Sequence, residues 1–109
     1  MVYQNTYQYK SRYGEERVVI ELLKYADNTT RVQLRSADDY SPYATLSTNL
    51  GAELEEDEFF LDVNNNPDAE DWLHQLHLAE PTGEQVKSGF CTYPKYRLNM
   101  AQITKPYEP

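Results

Sequence analysis

Lysine and arginine are missing from the middle of this chain. Neither occurs between Arg35 and Lys87, yet the 51 residues Ser36–Val86 hold 13 of the 18 acidic side chains. Six basic and four acidic groups precede that block, and four basic and one acidic follow it, so the formal charge of −8 divides as +2, −13 and +3. Ion pairs within the block are therefore excluded, and a surface of one sign selects partners by sign. Cysteine is nearly absent too. The single Cys91 excludes an internal disulfide framework and a multi-cysteine zinc site. Four glycines leave little for a phosphate loop, and neither Gly-x-Gly-x-x-Gly nor Gly-x-Ser-x-Gly occurs. No apolar run approaches the roughly 18 residues a membrane-spanning helix needs. Met1–Thr6 lacks a positive region followed by an apolar stretch, so no signal peptide is read and a cytoplasmic protein is expected. Without secretion, the sequon Asn28-Thr29-Thr30 carries no meaning.

Tyrosine is abundant, with ten copies, eight of them outside the acidic block. Its ring suits half-buried strand positions, and equally an interface or a base-stacking surface. Val18, Ile20 and Leu22 alternate along Arg17–Tyr25, and Val32 and Leu34 along Arg31–Ser36, around the turn residues Ala26–Thr30. This pattern predicts a β-hairpin. Tyr43–Asn49 alternates again, with Ala44, Leu46 and Thr48 on one side. Phe59, Leu61 and Val63 share a face of a further strand, and Tyr7–Lys10 reads as another.

Asn65 and Asn66 are N-cap types ahead of Pro67, and Ala69, Trp72, Leu73 and Leu76 form one apolar stripe. A helix over about 67–78 follows, ended before Pro81. Thr82–Gly89 reads as loop and Tyr96–Leu98 as a last strand. Phe90 and Cys91 are expected to enter the core, with Pro94 fixing the approach to that strand. Met100–Ile103 reads as a short helical turn or tail. The expected fold is α+β: a single domain over 1–109, a mainly antiparallel sheet of about 4–6 strands, and one main helix packed on it. Residues 1–14 are an edge strand or extension and 104–109 a tail.

Several constellations invite chemistry and each has a plainer reading. Asp62-Val63-Asn64-Asn65-Asn66 opens like a calcium loop, but Pro67 stands where glycine belongs and Leu73 where glutamate belongs. His74 and His77 are helix neighbours, yet a lone pair falls short of a zinc ligand set. Cys91 with a histidine base is conceivable, but a lone cysteine beside Phe90 reads better as a small hydrophobe. No catalytic residue, metal or cofactor is assigned. The acidic block divides into a dense run, Glu53 with Glu55, Glu56, Asp57 and Glu58, which reads as a solvated loop, and Asp62, Asp68, Glu70 and Asp71, which strand and helix would fix. Fixed carboxylates imitate a row of phosphates.

The segments Phe60–Pro67, Pro81-Thr82-Gly83 and Ser88-Gly89-Phe90-Cys91-Thr92-Tyr93-Pro94-Lys95-Tyr96 carry a resemblance. Over about Val18–Leu98 the chain resembles a family of small proteins bearing a domain of unknown function, encoded on bacterial conjugative elements, plasmids and prophages. Ser88, Gly89, Phe90, Cys91, Thr92, Tyr93, Pro94 and Tyr96 are the most specific part. The family transfers no catalytic residue. It implies an accessory protein of mobile DNA, a setting rich in antagonists of host defence. The expectation is a non-enzymatic protein whose Glu55, Glu56, Asp57, Glu58, Asp62, Asp68, Glu70 and Asp71 bind a macromolecular partner, in particular a nucleic-acid-handling protein. The alternative is a nucleic-acid-binding accessory protein. There Lys10, Arg12, Arg17, Arg31, Arg35, Lys95 and Arg97 would contact phosphates, while Tyr7, Tyr9, Tyr93 or Tyr96 stack on bases.

Overall fold

The computed structural model describes residues 1–106. Its central hairpin is the one the alternating residues predict: β2 (Gly14–Lys24) pairs antiparallel with β3 (Thr30–Ser36), from Val18↔Ser36 to Lys24↔Thr30. Asp27 closes the turn, its Oδ1 accepting from the Thr29 amide (3.1 Å) and hydroxyl (2.6 Å). β1 (Val2–Ser11) lines the outer side of β2, and β4 (Pro42–Thr45) the outer side of β3. The strand read at Tyr7–Lys10 is thus ten residues long and forms an edge.

The strand read over Tyr43–Asn49 divides at Leu46. Its first half, β4, stays with β3, and its second half, β5 (Ser47–Thr48), pairs with β6 (Glu58–Leu61) in another sheet. That sheet has the order β5-β6-β8-β7, with β7 (Ala79–Ser88) and β8 (Cys91–Leu98) joined as a hairpin. The α+β antiparallel fold stands, with eight strands among the described residues, in two sheets of four. Val18, Ile20, Val32, Leu34, Leu46, Phe59, Leu61, Tyr96 and Leu98 form the common core, with Leu22 and Val63 packed on its margin.

The helix α1 (Ala69–Gln75) is shorter than the stripe predicts. Asp68, not Asn65 or Asn66, is its N-cap. Asn66 is buried and its amide donates to the carbonyls of Thr45 (2.8 Å) and Asp62 (3.2 Å). At the other end His77 takes a left-handed φ of 56°. The amides of His77 and Leu78 then return to the carbonyls of His74 (3.2 Å) and Leu73 (3.0 Å). This is a Schellman closure, and it stops the helix ahead of Pro81. Trp72 closes α1 onto β1: its indole N–H donates to the Gln8 carbonyl (2.8 Å) and its ring meets Tyr7 and Tyr9 edge-on. The helical turn read at Met100–Ile103 is α2, capped by Asn99. The predicted tail extends into residues 107–109, which lie outside the described residues.

Two expectations for the second half are corrected. Thr82–Ser88 belongs to β7 and not to a loop, with a register shift between Pro81 and Gln85, and Gly89 alone of that stretch lies in a turn. Proline and a bulge are tolerated because β7 is an edge strand. Phe90 and Cys91 stay out of the core: Cys91 is half-buried and Phe90 is fully exposed, at 109%. Gly89 explains this. Its φ of +61° at the first central position of a two-residue connection is the pattern of a type II′ turn, which leaves Phe90 at the apex.

Candidate functional site

The eight carboxylates expected to form one face are spread over separate places. Asp68 accepts from Arg12 three times, from its backbone amide (2.8 Å), its Nε (3.1 Å) and its Nη2 (3.1 Å). The guanidinium first, then the amide, hold the Asp68 carboxyl below the ordinary carboxylate range. Glu58, buried on β6, accepts from Arg97 Nη2 (2.8 Å) and from the Glu55 amide (2.9 Å), while Asp57 lies 3.5 Å from Arg97 Nε. Glu70 accepts a hydrogen bond from the Tyr96 hydroxyl (2.5 Å). Asp62 accepts from the Asn65 amide and side chain. Glu55, Glu56 and Asp71 are exposed, without a side-chain partner among the described residues.

The basic ends therefore neutralise part of the block. Arg12, Arg17, Lys95 and Arg97 pair with Asp68, Asp38, Glu84, Asp57 and Glu58, five of its 13 carboxylates. Of the carboxylates left open, Glu53 and Glu55 meet at a cleft of about 690 Å³ between the β2–β3 turn and the β5–β6 loop. Asp27, Glu53, Glu55 and Glu58 line it, with Lys95 as its cationic side chain. Lys95 is already held by Glu84 at 2.5 Å and sits 5.9 Å above the Phe60 ring. Asp27 lies outside the acidic block, and sequence reasoning placed it only in a turn. The hairpin register that brings it to the glutamate run was visible, but not the loop that meets it.

The alternative loses its stacking platform. Tyr9 and Tyr96 are buried, and Tyr7 packs against Trp72, because all three point into the core. Arg17 and Arg35 are paired with Asp38 and Glu21. Tyr93, half-buried on β8, is the one named tyrosine left near the surface. His74 does not address Cys91. Its Nε2 lies 3.0 Å from the Tyr96 hydroxyl, so Glu70 and His74, one helical turn apart, converge on the same phenol. Among the described residues no group of three His, Cys, Asp or Glu side chains could hold a metal ion. Nor is any helix long and apolar enough to cross a membrane.

The string Ser88–Tyr96 is the tip and second strand of a projecting ribbon. β6 pairs with β8 only from Glu58↔Arg97 to Phe60↔Lys95, so Cys91–Pro94 have β7 on one side and no strand on the other. Fold and site thus define a small two-sheet α+β protein with an acidic cleft and an aromatic-tipped ribbon. It belongs to the family described as Domain of unknown function (DUF4313), whose model matches residues 19–108. That match opens within β2, so β1 precedes it, and it runs through α2. No curated protein and no solved structure matches the chain.

Proposed function

We propose that this chain is a non-enzymatic, cytoplasmic accessory protein of a mobile genetic element that binds a protein partner through its acidic cleft. The partner is a nucleic-acid-handling protein, and the outcome is antagonism of host defence. The observation that supports this reading is the convergence of Asp27 with Glu53 and Glu55 on one cleft, where Glu58 is already paired with Arg97 and Lys95 with Glu84. Such a cleft attracts a lysine- or arginine-rich surface, the kind that handles phosphates. The resemblance to proteins of conjugative elements and prophages supplies the setting.

The test is affinity capture from bacterial cells with the wild-type chain and with Asp27→Lys/Glu53→Lys. Glu53 is exposed and Glu53→Lys alone should keep its thermal stability, whereas Asp27→Lys also removes the Thr29 turn contacts, so a melt accompanies the capture by the double variant. Capture of a basic nucleic-acid-handling protein should be lost in the variant and weakened by salt for the wild type. Capture that survives both treatments sinks the reading.

A further inference from the structure

We propose that two copies of this chain associate by exchanging their β7–β8 ribbons, Phe90 of each copy entering a groove of the other. The ribbon tip is built to be received. A fully exposed phenylalanine stands at the apex of a strand pair that outruns its sheet. Lys87 beside it has no carboxylate partner among the described residues, and no acidic side chain occurs from Gln85 to Tyr107. In a chain of charge −8, whole surfaces repel, and the tip is where a second copy can approach.

The receiving surface is a groove of about 560 Å³ where β2, α2 and the β5–β6 loop meet. Tyr3, Leu22, Leu98 and Met100 give it an apolar lining for the Phe90 ring. Glu55, Glu56 and Asp57 stand on its rim against one cationic side chain, Lys24, which is hydrogen-bonded to Thr30 (3.4 Å). Asp57 is engaged by Arg97, which leaves Glu55 and Glu56 to meet Lys87. Tip and groove lie at opposite ends of β8, Cys91 at one and Leu98 at the other, roughly 23 Å apart at about 3.3 Å per residue. Two copies laid antiparallel bring both tips to both grooves at once. The contact then closes as a two-fold pair and does not run on as a filament.

Glu55 lines both this groove and the acidic cleft, whereas Glu56 and Phe90 do not line the cleft, so the test uses those two with Lys87. Sedimentation velocity of the full chain should show, as concentration rises, a species of twice 12.8 kDa. Phe90→Asp should abolish it with the thermal melt unchanged, which separates lost association from misfolding. Lys87→Glu should weaken it about tenfold, and adding Glu56→Lys to the same chain should restore it. A mass of 12.8 kDa at every concentration, a pair indifferent to Phe90→Asp, or a ladder of larger species would each overturn the proposal. None of these outcomes bears on capture through Asp27 and Glu53.

Discussion

Asp68 and Tyr96 show how single side chains tie distant segments together. The Asp68 carboxyl, depressed by Arg12, joins the start of α1 to the β1–β2 turn. A depressed carboxylate contributes stability that is present above its ordinary value and lost as pH falls through the folded value. Asp68→Asn should therefore lower the urea midpoint at neutral pH, and the difference should close as pH falls through the depressed Asp68 value, below the ordinary aspartate value of about 3.9. A gap that persists in acid would show that Arg12 is not its source. Tyr96 carries the opposite sign. Burial first, then Glu70, push its phenol up, so its contribution is full below the ordinary tyrosine value near ~10 and fades as pH rises through the folded one. Tyr96→Phe leaves Glu70 and His74 without their shared hydroxyl, and should cost about 1–2 kcal/mol by urea unfolding at neutral pH. It should also reduce the loss of stability in alkali. Part of that loss should remain, since burial raises Tyr7 and Tyr9 as well.

At the scale of elements, Glu58 decides how the β5–β6 loop sits. Its carboxylate holds the Glu55 amide and Arg97 together, and its side chain is only 8% exposed. Breaking a buried pair typically costs about 3–5 kcal/mol. Arg97 is half-exposed, so Glu58→Ala should cost nearer ~2 kcal/mol. Hydrogen exchange at the Glu55 amide should accelerate, and unchanged exchange would mean the loop is held by other contacts. Glu58 also shows where the sequence was opaque. In the chain it reads as the end of a charged run. Its partner lies 39 residues away, and no local pattern announces that pairing. The β2–β3 hairpin was legible because both strands carry their own alternation around a turn. The stripe of α1 was legible too, but not its end, since nothing marks His77 for a left-handed conformation. β7 was hidden because Pro81, Thr82 and Gly83 have turn chemistry. Only pairing with β8 on either side of the bulge, at Pro81 and again from Gln85, carries the strand through them. The open part of the candidate site was half visible: the glutamate run stands out, while Asp27 joins it only through tertiary structure.

For the whole molecule, the question is whether two sheets make one cooperative unit. Leu46 answers it. Its amide donates to the Val32 carbonyl in the first sheet (2.9 Å), and its carbonyl accepts from the Asp62 amide beside the second (2.7 Å). Its side chain is fully buried in the core both sheets share. The next residue repeats the stitch: the Ser47 hydroxyl accepts from the Val32 amide (2.9 Å) and shares a hydrogen bond with Tyr25 (2.9 Å). One bent strand thus serves both sheets, so neither has a core of its own to keep if the other is lost. Unfolding should be a single transition. Far-ultraviolet circular dichroism, dominated by strands, should trace the same curve as fluorescence of Trp72, which reports on α1 against β1. Leu46→Ala should lower stability by about 2–5 kcal/mol and shift both curves together. If the fluorescence curve moved ahead of the dichroism, β1 and α1 would be unfolding apart from the second sheet, and Leu46 would not be the joint that its hydrogen bonds make it.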